Sequence, residues 1–273
     1  MQRGYPNVQL AGFDIEKPDL IDMLEVESLT SEEIFANQPV VEFSKCRFCG
    51  VCSGYCVNKA IQFNRFVPSV TLIVARCCAC GNCQKACNRN GIQMKEKYVG
   101  KIVQGNLVQH HLIAGELDPE SEFQVPLIKA LLERLSPESI CICDFGPGTD
   151  LPVSLALEQM DVAIFVLQNT PDWEQHLKAM ITLTEKCNIL SGLVINKSEE
   201  NSSFSVEVSE YCNLNSFPIW GVIPDFGDLE NNKDFDNTFN PEVATLPVSK
   251  IWNSITQSHP ILQLAYNETF TQY

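Results

Sequence analysis

The chain has 273 residues, 45% of them hydrophobic, and a formal charge of −15 at neutral pH. That length and apolar content permit one large domain, or a domain carrying a smaller insertion. The acidity argues against non-specific nucleic-acid binding through the whole surface. The best apolar run, Val162–Leu167, is strand-sized and too short to span a bilayer. Met1–Asp14 lacks the charged and apolar regions of a secretory signal, so a cytoplasmic protein is expected, with no nucleic-acid partner and no membrane span.

In chain order, Val8–Asp14 reads as a strand, followed by a polar, acidic stretch with Pro18 that runs to residue 40. Residues 41–97 are rich in cysteine. Leu107–Ile113 reads as a strand in which His110 and His111 point to opposite faces, which argues against a shared metal ion. Ser139–Phe145, Val162–Gln168, Ser191–Lys197 and Ile219–Pro224 are short apolar runs of strand length. Between them, Leu151–Gln159, Pro171–Cys187 and Phe204–Leu214 have helical length and spacing, with Thr170 as a cap candidate before Pro171. Asp225–Pro241 reads as loop and Val248–Gln257 as a closing helix. Strands alternating with helices predict an α/β fold, a mostly parallel sheet with helices on both faces. The cysteine segment interrupts it as a small α+β domain.

Nine of the thirteen cysteines lie between Cys46 and Cys87. Disulfide frameworks belong mainly to small secreted domains, whereas close-spaced cysteines in a reduced compartment favour metal. The first run is Cys46-x2-Cys49-x2-Cys52-x3-Cys56, and the second is Cys77-x2-Cys80-x2-Cys83-x3-Cys87. The offset is 31 residues, and each copy closes on an Ile-Gln pair, Ile61-Gln62 and Ile92-Gln93. Two such copies signal a duplicated unit rather than a solenoid. A cubane cluster needs four converging thiolates, three from a tight loop and the fourth from elsewhere. In the two-cluster arrangement the fourth cysteine of each run ligates the other cluster. Two [4Fe–4S] clusters are expected, one held by Cys46, Cys49, Cys52 and Cys87, the other by Cys77, Cys80, Cys83 and Cys56. Gly50 and Gly81 let the backbone turn closely over the sulfides. The alternative is structural zinc, whose sites usually show two separated cysteine pairs. Cys78 is an extra thiol, read as a spare buried cysteine, with alternative ligation as the other reading. From Ser44 to Ile92 there are seven basic and no acidic residues, leaving −15 − 7 = −22 for the remainder. Cations around a cluster favour its reduced form.

The cysteine runs resemble the bacterial two-cluster ferredoxins over about sixty residues. They depart in having Val57 and Asn88 where those proteins usually have proline after each fourth cysteine. Two flanking stretches carry a second resemblance. Val8-Gln9-Leu10-Ala11-Gly12-Phe13-Asp14-Ile15-Glu16-Lys17-Pro18-Asp19 is similar to the segment that follows the P-loop helix in the MinD/Mrp ATPases. Asp14, Glu16 and Pro18 match, and Gly12 replaces the first aspartate. Ile140-Cys141-Ile142-Cys143-Asp144-Phe145-Gly146-Pro147-Gly148-Thr149 resembles that family's Walker B strand and loop, with Gly146 where a proline is usual. Asn196-Lys197 matches its base-contacting position. The resemblance implies a discontinuous ATPase-like domain, residues 1–40 plus 98–273, with an inserted ferredoxin domain at 41–97. It implies Asp14 as the catalytic group orienting water, Asp144 holding Mg²⁺, Gly148 and Thr149 sensing phosphate, and Asn196 at the base.

The chain contains no Gly-x4-Gly-Lys-Ser/Thr motif, and only Met1–Asn7 precede Val8. Without that loop no backbone N–H groups cradle phosphates, and efficient ATP hydrolysis is not expected. A start placed too late, a strand supplied by a partner, or a sheet closed up differently would each account for it. Two functions follow. One is an iron–sulfur protein in which nucleotide state, through Mg-ATP, is coupled to electron transfer or cluster handling. The other is a non-enzymatic electron carrier or docking subunit. A redox or iron–sulfur partner is expected, with homodimerisation or pairing with a P-loop-intact paralogue.

Overall fold

The computed structural model describes residues 8–24, 26–107, 110–225 and 241–258. The leading segment and most of the expected 225–241 loop lie outside these residues. The chain divides into two compact units, residues 1–156 and 157–273.

The first unit is built on a five-stranded sheet. Its strands are β1 (Val8–Gly12), β2 (Glu27–Val41), β5 (Ile92–Leu107), β6 (His110–Leu117) and β7 (Ile140–Asp144), in the order β2-β5-β6-β1-β7. β1 lies parallel to β6 and to β7, with Gly12 opposite both Ala114 and Asp144. β2, β5 and β6 are joined antiparallel. The expected strands at Val8 and Ser139 are therefore present, and a long antiparallel ribbon is added to the parallel set. Helix α4 (Gln124–Leu132) covers this sheet with Val125, Leu127, Ile128 and Leu131, all essentially out of water. Its leucines close on Gly115 of β6, where any side chain would strike Leu131 and Ile15.

The second unit is a parallel three-stranded sheet of β8 (Val162–Leu167), β9 (Leu190–Asn196) and β10 (Ile219–Ile223), with β9 central. Successive side chains of β9 alternate between faces. Leu193 and Ile195 join α6 (Trp173–Cys187) and α7 (Ser203–Leu214) in a core with Leu177, Phe204 and Val208. Val194 joins Trp220, Ile251 and Ile255, the last two from α8 (Pro241–Ser258), on the other face. Burial on both faces explains why β9 is apolar almost throughout. The class is thus α/β with parallel strands and covering helices. α6 begins at Trp173 with Asp172 as its N-cap residue, two positions later than Thr170 and Pro171 suggested.

The cysteine segment lies between β2 and β5. β6 pairs with β5 only from Gly100 to Leu107, so Ile92–Tyr98 pairs with Phe35–Val41 alone, as a two-stranded arm. Val41 opposite Ile92, and Glu42 N–H donating to the Gly91 carbonyl at 2.9 Å, close the base of the segment. Within it stand α2 (Val51–Gly54), α3 (Asn82–Ala86) and the hairpin β3 (Ile61–Asn64) with β4 (Ser69–Leu72).

Candidate functional site

The sequence repeat is also a backbone repeat. Phe48 and Ala79, Gly50 and Gly81, and Lys59 and Asn90 are three pairs offset by the same 31 residues, and all six have positive φ. α2 and α3 begin immediately after Gly50 and Gly81, whose φ values are 75° and 72°. At Gly50 glycine is required twice over, because an added Cβ would also lie 2.5 Å from the Phe63 ring. The fourth cysteine of each run accepts from the N–H four residues on, Ala60 to Cys56 Sγ at 3.2 Å and Gly91 to Cys87 Sγ at 3.3 Å. Phe48 N–H donates to Cys46 Sγ at 3.4 Å, and Ala79 N–H does the same for Cys77.

These turns open two cavities. One is lined by Cys46, Cys49, Cys52 and Cys87. The other is lined by Cys56, Cys77, Cys80, Cys83 and also Cys78. In each, three thiols of one run meet the fourth thiol of the other. No carboxylate lines either cavity; Arg47 and Arg89 line the first and Arg76 the second. Cys49 and Cys80 are the exposed members, while Cys77 and Cys83 are buried. Burial pushes the Cys52 and Cys77 thiols up, and Cys83 up to about 11. Binding a metal group there would therefore release protons. Among the described residues no three such side chains gather closely enough for a single metal ion. Each cavity offers four or more thiols, a donor set that either an iron–sulfur cluster or a structural zinc takes.

A second candidate lies where β1 and β7 end side by side. Phe13 N–H donates to the Asp144 carbonyl at 2.7 Å, and the Phe13 and Phe145 rings stack at 4.8 Å. Asp14 Oδ1 accepts from Lys17 N–H at 3.3 Å, and the carboxylate lies directly over Gly146. A Cβ at residue 146 would stand 2.8 Å from it, so glycine there leaves room for Asp14. At Gly12 an added Cβ would lie 3.0 Å from Ala114 Cβ, a tight contact, and 3.5 Å from Leu20. Partial burial, then the charges of Asp14 and Asp19, hold the Asp144 carboxyl above its ordinary range. Crevices at the carboxyl ends of parallel strands are the usual ligand sites of α/β sheets. Gly148 (φ 123°) and Thr149 follow in the loop after β7, and Asn196 ends β9 in the second unit. Sequence reasoning gave Asp19 no role and did not find α4, whose Lys129 faces Cys78; neither carried a motif.

No family model matches the chain. An uncharacterized protein of Methanocaldococcus jannaschii is 27% identical over 190 residues, covering 67% of this chain. The match spans 66% of that relative's own length. Among solved structures, a plasmid partition protein of Borrelia burgdorferi with AMPPNP bound has a TM-score of 0.45 at 14% identity, over 93% of this chain and 87% of that one. The Aquifex aeolicus cell division protein MinD has 0.36 at 13%, over 97% and 82%. A ParA family ATPase of Chlorobium tepidum has 0.38 at 12%, over 98% and 86%.

Proposed function

We propose that this chain holds two [4Fe–4S] clusters in a ferredoxin-type segment, residues 41–97, borne by an ATPase-like body, and that it passes electrons or clusters to a redox or iron–sulfur partner. The observation that carries the proposal is the pair of cavities, each ringed by three cysteines of one run and the fourth of the other. The clusters would supply the one-electron chemistry. The chain supplies the thiolates, the N–H donors that hold Cys46, Cys56, Cys77 and Cys87 in orientation, and arginines that offset negative charge.

Asp144 and Asp14 belong to the nucleotide part of the proposal, as Mg²⁺ holder and water-orienting group. Gly148 and Thr149 would touch phosphate. Their support is the placing of both carboxylates at one strand edge. The chain has no Gly-x4-Gly-Lys-Ser/Thr, so nucleotide coupling ranks below cluster binding. A docking subunit is the second reading. It is favoured by two free parallel edges among the described residues. β7 pairs only with β1, and β8 only with β9, while Ile142, Ile164 and Val166 stand about half exposed on them.

Anaerobic reductive titration tests the first reading. The protein should take up about two electrons per chain, reversibly, as two one-electron clusters require. Clusters that then stay in place beside an apo-acceptor define an electron carrier; clusters that move define a donor. A chain that accepts no electrons overturns the reading.

A further inference from the structure

The two cavities differ at one repeat position. Residues 47 and 78 are equivalent under the 31-residue offset, and each lines its own cavity, so the backbone places that side chain over the site in both. In the first cavity the side chain is Arg47, which cannot ligate. In the second it is Cys78, a fifth thiol beside the four. Cys78 and Cys80, two residues apart, line the same cavity. Cys80 is the exposed ligand of its set and so the one most open to oxidation or loss, whereas Cys78 is half-buried.

We propose that Cys78 is a reserve ligand of the second cluster, able to take the iron corner of Cys80. This rests on the two-cluster reading above. In the exchange the Cys78 thiol gives up its proton and its sulfur bonds the iron. The Cys80 sulfur leaves and is protonated, and no oxidation state changes. The first cluster has no such reserve, so the two sites differ in their tolerance of losing the exposed cysteine.

Iron and acid-labile sulfide, counted on anaerobically purified full-length variants with EPR of the reduced protein, test this. Cys80→Ala should keep about eight irons per chain, as two four-iron clusters require, with a changed signal from the second cluster. Cys49→Ala should fall to about four. The double variant Cys78→Ala/Cys80→Ala should also fall to about four. Cys80→Val, whose side chain cannot ligate, is read the same way should the alanine variant fold poorly. A Cys80 variant that matches Cys49→Ala, or that holds a three-iron cluster, overturns the reserve role. Wild-type protein without iron or sulfide overturns the two-cluster reading itself, a distinct result.

Discussion

Asp144 is held above its ordinary pKa by partial burial and by Asp14 and Asp19, so ionising it costs the fold free energy. A folded-state pKa raised above the unfolded one contributes stability that is present at low pH and lost as pH rises through the folded value. Asp144→Asn should therefore stabilise the protein at pH 7. Because the carboxylate is open to solvent, screening keeps the gain to about 0.5 kcal/mol. The gain should vanish as pH falls below the ordinary value of 3.8, where the native aspartate is protonated in both states. Melting curves at the two pH values check this, and an unchanged or lower midpoint at pH 7 would contradict it. At the same scale, the grouping of cysteines into two sets was legible, because their covalent spacing is in the sequence. The Asp14 carboxylate over Gly146, the contribution of Asp19 and the closeness of Lys129 to Cys78 were not legible, because they arise where the chain returns to itself from far away.

At the scale of elements, the two turns preceding α2 and α3 share a backbone and differ in surroundings. Gly81 has nothing within 4 Å of an added Cβ, whereas Gly50 has the Phe63 ring at 2.5 Å. Gly81→Ala should cost only the left-handed backbone penalty, about 1–2 kcal/mol. Gly50→Ala should cost more, by a further 1–3 kcal/mol or so for overpacking. Equilibrium unfolding in urea measures the difference, and equal losses would show that Phe63 swings aside freely. The parallel strands β1, β7, β8, β9 and β10 were legible from apolar runs, since strands covered by helices must be apolar. The long β2 and β5 were not. The first seven residues of β2 are all exposed, so this edge strand carries no apolar alternation to betray it. α4 escaped notice as well: it is buried along most of its length, and a short apolar run shows little helical periodicity.

At the scale of the molecule, charge and architecture divide along the same line. The segment from Ser44 to Ile92 is formally +7 and the rest −22, and that basic segment is the one held by the β2–β5 arm. It also touches the body, where the 3₁₀ turn Val74–Arg76 meets α4 just before Cys77. The second cavity, lined in part by Arg76 and Cys77, is thereby placed near α4. No helix among the described residues is long and apolar enough to cross a membrane.

The central claim is that the eight cysteines hold two cubanes, and metal and sulfide content test it most directly. Protein purified without exposure to oxygen should carry about eight irons and about eight acid-labile sulfides per chain. One or two zinc ions per chain, with no sulfide, would contradict the account and leave the cysteines as structural ligands.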